Sequence, residues 1–185
     1  MIKEKKKLKR ENIAKSCLEL FSTNGFHNVT VTEIAKTAGI GKGTIYEYFS
    51  NKEDIVLELM ECLQNEYDKK LVELKYNKDV DAKLFIYSIF DIFIDKNNLH
   101  EDKREILKQF VIATITNPSE AIITYNQTLR DKYANIIDEK INNKEISYIL
   151  YDSIYAQYLL SLNVKICLAN KVESILEHYL GQIND

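Results

Sequence analysis

A chain of 185 residues with 45% hydrophobic side chains can bury a core and has the length of one domain, or one domain with a small appendage. One proline and five glycines, set among abundant Lys, Glu, Leu, Ile and Ala, exclude a many-turned β protein and point to long helices. The net charge of -3 conceals a division: residues 1–52 hold ten Lys or Arg against five Asp or Glu, and the remainder holds fifteen against twenty-three. A basic head on an acidic body is expected to meet a polyanion. Cys17, Cys62 and Cys167 are far apart without a C-x-x-C pair, and His27, His100 and His178 lie near none of them, so neither a disulfide framework nor a metal site is expected. That usage fits a reducing cytosol and a cytoplasmic protein. The basic start MIKEKKKLKR runs into ENIAKS where a signal peptide would turn apolar, and LFIYSIFDIFI is too short for a bilayer and contains Asp91, so no membrane span is expected. The basic run itself has two readings, a polyanion-binding tail or a frayed, solvated end.

In chain order, Ile13, Ala14, Cys17, Leu18 and Phe21 recur at three and four, which predicts a helix over 10–23 that Asn24 and Gly25 end. Thr30 stands three before Glu33, a capping box opening a short helix over 31–38 with Ile34, Ala35 and Ala38 inward. Gly39 closes it at a position that favours positive φ, and Gly41 is the expected N-cap of a second short helix over 42–48. Ser50 and Glu53 read as another capping box, starting a long fourth helix. Two short helices joined through Ala38-Gly39-Ile40-Gly41 and flanked by one on each side make a helix-turn-helix.

The Gly39-Ile40-Gly41-Lys42-Gly43-Thr44 run does not fit the pattern of a nucleotide loop. A P-loop requires G-x-x-x-x-G-K-[ST] after a buried strand, whereas five residues on from Gly39 stands Thr44, Lys42 precedes Gly43, and the preceding VTEIAKTA has helical spacing. In a helix-turn-helix the second helix enters the major groove N-terminus first, so Gly41 and Gly43 let its backbone approach the DNA. Lys42 reaches a phosphate or a guanine edge, Thr44 offers a hydroxyl, and the phenols of Tyr46 and Tyr48 are placed for phosphate unless those rings are packing residues. Ile45 and Phe49 face the core, and Lys52 adds a charge at the N-terminus of the fourth helix.

With these residues in view, ENIAKSCLELFSTNGFHNVTVTEIAKTAGIGKGTIYEYFSNKEDI resembles the DNA-binding domain of TetR/AcrR-type transcriptional regulators over roughly residues 8–56, without a gap. The resemblance implies that Thr32, Lys42, Gly43, Thr44, Tyr46, Tyr48 and Lys52 touch DNA. Gly41 departs from the family's frequent Ser or Ala, and Glu47 places a carboxylate on the recognition helix, where it repels phosphate unless it accepts from a cytosine amino group.

Beyond the head the sequence shows helices and no motif. Ile55, Leu59, Leu63, Tyr67 and Leu71 stripe the fourth helix, and Phe85, Ile86, Ile89, Phe90 and Phe93 stripe one over 83–95. A helix over 106–116 follows, then one capped by Asn117 with Pro118 at its first position and Glu120 completing the box, running to Ile141. Asn142 and Asn143 break it, a helix over 146–168 comes next, and Asn170 with Glu173 caps a last one ending at Gly181. The expected fold is therefore all-α, with a three-helix helix-turn-helix domain over 1–52 and a helical regulatory domain over 53–185, about nine helices in all. The resemblance implies a homodimer through the last two helices, whose two-fold symmetry suits a palindromic operator. Phe90, Phe93, Phe110, Tyr125, Tyr151 and Tyr155 are candidates to line an aromatic effector pocket, the competing reading being plain core. Tyr148, Tyr151, Tyr155 and Tyr158 form a stripe shared between pocket and dimer interface, and Asp91 lies on the polar face of Leu84, Ser88 and Asp95. The function expected from the resemblance is a dimeric, ligand-responsive DNA-binding transcriptional regulator, a repressor released by a small lipophilic or aromatic effector. A TetR-fold protein governed by a protein partner is the alternative. No catalytic set, cofactor or metal is expected, and a nucleotide-binding enzyme is the remote alternative.

Overall fold

The computed structural model describes residues 2–94, 101–116 and 119–163, and the elements within them are α-helices. They fall into two compact units, Met1–Glu66 with Leu99–Thr116, and Tyr67–Asn98 with Asn117–Asp185.

In the first unit, α1 (Ile2–Ser16) starts well before the predicted residue 10, because the Lys-rich run consists of good helix formers and Lys7 sits one turn from Glu11, at 3.9 Å. The predicted single helix is broken at Cys17. Both Ser16 Oγ and Cys17 Sγ donate to the Ile13 carbonyl, at 2.7 and 3.3 Å, and the Cys17 N–H turns to the Ala14 carbonyl, a local tightening that separates α1 from α2 (Leu18–Asn24). Gly25 then ends α2 at φ 78°. Thr30 and Glu33 form the predicted capping box of α3 (Val31–Thr37): Thr30 Oγ1 accepts the Glu33 N–H, and the Glu33 carboxylate accepts the Thr30 N–H at 2.8 Å. At its other end the Ile40 N–H reaches the Ala35 carbonyl and the Gly39 N–H the Lys36 carbonyl, a Schellman turn with Gly39 at φ 67°.

Gly41 caps α4 (Lys42–Tyr48) as predicted, without a side-chain bond. The start of α5 (Lys52–Tyr76) corrects the expectation by one residue. Asn51 Oδ1 accepts the Asp54 N–H at 2.9 Å and the Asp54 carboxylate accepts the Ser50 N–H, so the cap is Asn51 with Asp54 instead of Ser50 with Glu53. Helix α7 (Glu101–Thr116) packs on α2, and Gln109 stitches the two: its Nε2 donates to the Ser22 carbonyl and its Oε1 accepts the Phe26 N–H, both at 3.3 Å. Phe21, Ile34, Ile45, Phe49, Ile55 and Ile106 are among the fully buried side chains of this unit.

In the second unit, α6 (Ala82–Ile94) is capped by Asp81, whose Oδ1 accepts the Leu84 N–H at 2.7 Å. Helix α8 (Glu120–Ile141) is capped by Ser119, whose hydroxyl accepts the Ile122 N–H, two residues later than the predicted Asn117 box; Asn117 and Pro118 lie outside the described residues. Asn142, in the left-handed region at φ 51°, ends α8 as predicted, and Asn143 Oδ1 caps α9 (Lys144–Asn163). The predicted end of that helix at Leu168 and the last helix from Asn170 to Gly181 lie outside the described residues. Residues 67–76 of α5 contribute Leu71 to a core in which α6, α8 and α9 meet through Phe85, Ile86, Tyr133, Ile137 and Leu150. Asp91 is exposed and Leu84 is half exposed, as the polar-face reading of α6 requires.

Candidate nucleic-acid interface

The seven residues of α4 are too few to hold a helix alone, so its placement depends on what it buries. Ile45 in the helix and Phe49 just after it are 1% and 2% exposed and fix one face inward. The opposite face carries Lys42, Gly43, Tyr46 and Glu47, all exposed, with Gly41 exposed ahead of them. Thr44 and Tyr48 are half-buried at its margins. A Cβ added at Gly43 would meet nothing within 4 Å, and one at Gly41 would meet only Thr44 Oγ1 at 3.8 Å. Neither glycine has positive φ, so nothing inside the protein demands a glycine at either place.

Thr32, in the first turn of α3, is exposed. Lys52 is not a free charge beside these residues: its ammonium donates to the His27 and Val29 carbonyls at 2.7 and 2.8 Å and so holds the α2–α3 loop to the start of α5. Partial burial pushes its pKa down, against a smaller upward pull from Glu33. The Glu33 carboxyl is held below the usual carboxylate range by hydrogen bonds from the Thr30 backbone and hydroxyl, with Lys52 a lesser cause.

Two residues that periodicity did not single out bear on this face. Arg10 of α1 donates through Nε to Glu58 of α5 at 2.7 Å and through a terminal nitrogen to the Tyr48 carbonyl at the end of α4, with its guanidinium 4.3 Å from the centre of the Phe49 ring. Its one sequence signal is being the sole arginine of residues 1–52. Gln109, the other, carries no local signal at all.

Residues 13–59 match the family model for bacterial regulatory proteins, tetR family. The matched segment runs from the end of α1 through α2, α3 and α4 into the start of α5. The Gly39–Thr44 run lies within that matched segment. Among curated relatives, the fatty acid metabolism regulator protein of Bacillus subtilis (strain 168) is 37% identical over 70 residues, which cover 38% of this chain and 36% of that protein. The chain thus matches about a third of that relative's length. The transcriptional regulator UidR of Escherichia coli (strain K12) is 23% identical over 155 residues, 83% of this chain and 76% of that one. Among solved structures, FadR from Bacillus subtilis in complex with stearoyl-CoA superposes with a TM-score of 0.69 at 20% identity, covering 91% of this chain and 96% of that one, a likeness of fold.

The aromatic candidates do not form one group. Phe90 is buried in the core of the second unit, where Tyr151 stacks between Tyr133 and Tyr155 with ring centres 5.8 and 5.9 Å apart. Tyr158 continues the row at 6.3 Å, and Tyr125 is half-buried in the same unit. Phe110 falls in the first unit, and the Phe93 side chain lies outside the described residues. Tyr148 leaves the row: its phenol donates to Asp131 at 2.8 Å beneath Arg130, which is itself paired with Asp152. Burial raises the Tyr151, Tyr155 and Tyr158 phenols, so all three stay neutral at ordinary pH. No helix among the described residues is long and apolar enough to cross a membrane, and no cluster there could hold a metal ion.

Proposed function

We propose that the chain is a regulator of the TetR family, a dimeric, ligand-responsive repressor that binds a palindromic operator through α4 in the major groove. Residues 1–52 bind DNA, and residues 53–185 dimerise through the last two helices and take the effector. The observation that carries this reading is the outer face of α4, where Gly41 and Gly43 leave the backbone bare without internal need, beside exposed Lys42 and Tyr46. A bare N-terminal turn is what a helix needs to bring its backbone near base edges, with Lys42 and Thr44 as readers and Tyr46, Tyr48 and Thr32 on phosphate. Lys52 acts chiefly by anchoring the loop, with one ammonium hydrogen left to offer a phosphate. The exposed lysines of α1 supply a sequence-independent attraction.

The effector is a lipophilic molecule, and stearoyl-CoA, held by the Bacillus subtilis relative, supports a long acyl chain as its class. Helix α5 is one continuous element from Lys52 to Tyr76, through the stripe of Ile55, Leu59, Leu63 and Leu71, so strain at its far end is felt at its start. By linkage, an effector that weakens operator binding is itself bound more weakly by the operator complex, typically 5–150-fold. The test is affinity for DNA enriched by the wild-type chain from a random pool, at fixed salt. Lys42→Ala and Tyr46→Phe are expected to lose roughly 1–3 kcal/mol each of specific binding while staying folded. Stearoyl-CoA is expected to release the wild-type complex. Unchanged affinity in both variants would overturn the interface, and release by a co-purifying protein in place of any acyl-CoA would favour the protein-partner alternative.

A further inference from the structure

We propose that Arg10 is a positioning residue for the recognition helix, coupling the end of α4 to α5 through Glu58; the inference rests on α4 being the DNA-reading element. Helix α4 has no side-chain cap at Gly41, and it buries Ile45 alone along its length. Its orientation therefore depends on its C-terminal end. There the Tyr48 carbonyl, one of the acceptors a helix leaves unpaired, takes a hydrogen bond from Arg10, whose charge also suits the negative end of the helix dipole. The same guanidinium lies over Phe49, the residue that ends α4, and its Nε meets Glu58 at 2.7 Å. One planar group thus fixes three things at once: the last carbonyl of α4, the ring that ends it, and a carboxylate on α5.

Glu58 makes this pairing directional. Its side chain is 8% exposed against 31% for Arg10, so the carboxylate is the buried, fixed member and the guanidinium must come to it. A shift of α5 along or about its axis moves Glu58, Arg10 follows, and the Tyr48 carbonyl follows Arg10. Lysine cannot replace this action, because a single ammonium on a flexible stem lacks the rigid fork that bonds Glu58 and Tyr48 in one plane. Three and four positions on, Ile13 and Ala14 of α1 are apolar and buried, so Arg10 is the polar member of a face otherwise given to core.

The test uses the full chain and the DNA it enriches from a random pool. Arg10→Lys keeps a charge for Glu58 and is expected to leave far-ultraviolet dichroism and non-specific DNA affinity as in wild type while specific affinity falls tenfold or more. Arg10→Lys combined with Lys42→Ala is expected to cost less than the product of the two single losses, because a mispositioned helix has already lost the Lys42 contact. Glu58→Gln, which leaves the shape and removes the charge, is expected to repeat the loss of specificity. Wild-type specific affinity in Arg10→Lys, with Lys42→Ala still impaired, overturns the positioning role and leaves the interface standing. Unchanged affinity in Lys42→Ala as well overturns the interface itself. A salt slope reduced by about one phosphate in Arg10→Gln, which removes the charge, would make Arg10 a DNA contact and also overturn the inference.

Discussion

Gly43→Ala separates what the protein needs from what its target needs. Gly43 is the second residue of α4, its φ is ordinary, and the methyl group of alanine would have nothing within 4 Å. In a helix interior the exchange stabilises by roughly 0.5–1 kcal/mol, partly by restricting the unfolded chain. Position near the end of a seven-residue helix argues for the lower figure. About 0.5 kcal/mol corresponds to a Tm higher by about 1–2 °C for a chain of this size. With α4 in the groove as proposed, the same methyl meets DNA, and specific affinity is expected to fall at least tenfold, about 1.4 kcal/mol. Thermal denaturation followed by circular dichroism and fluorescence anisotropy on enriched DNA read the two effects separately. Gly25→Ala is the control: at φ 78° alanine is strained and should cost about 1–2 kcal/mol in stability. A stabilised Gly43→Ala with unchanged operator affinity would refute the close-approach argument, and a destabilised one would refute the open space on which it rests.

Thr30→Ala removes the cap of α3 and is expected to lower stability by about 1 kcal/mol in urea titration. Because the Thr30 backbone and hydroxyl hold the Glu33 carboxyl below its ordinary 4.5, that carboxylate's contribution is complete above pH 4.5 and disappears as pH falls through the depressed value; the gap between the wild-type and Thr30→Ala stability curves should narrow in acid by the hydroxyl's share and persist by the lost N-cap bond. Deleting residues 1–7 should lower specific and non-specific DNA affinity together and flatten the dependence of log affinity on log salt, since the lysines there are exposed along α1; an unaltered slope would make them a solvated end. Phe90 is 8% exposed in the core of the second unit, so Phe90→Ala should cost about 3–5 kcal/mol, while Tyr125→Ala should preserve ligand-free operator affinity and alter the response to stearoyl-CoA.

The head was legible because its signals are local. The Thr30–Glu33 box, the positive φ of Gly39 and the run from Gly41 to Tyr48 each depend on residues within seven of one another. Where two local solutions competed, the reading slipped. Ser50-Asn51-Lys52-Glu53-Asp54 offers two overlapping boxes, and the bond from Ser50 N–H to Asp54 selects the second. Around Asn117-Pro118-Ser119 the cap fell on Ser119, where no Glu or Gln three residues on completes a box to mark it. The break at Cys17 needed knowledge that two adjacent side chains would share the Ile13 carbonyl. Arg10 with Glu58 and Gln109 with Ser22 and Phe26 lie 48 and more than 80 residues apart, beyond any periodicity. Aromatic spacing placed Tyr151, Tyr155 and Tyr158 on one face of α9 but did not distinguish them from Tyr148, which an Asp on α8 draws away.

The placement of α4 in the major groove is tested most directly by methylation interference at guanine N7 on the enriched operator. The wild-type chain is expected to be excluded by methylation in two blocks about 34–36 Å apart or a multiple of that, with Lys42→Ala binding the unmethylated site more weakly. Binding that is indifferent to N7 methylation, with Lys42→Ala at wild-type affinity, would contradict the account.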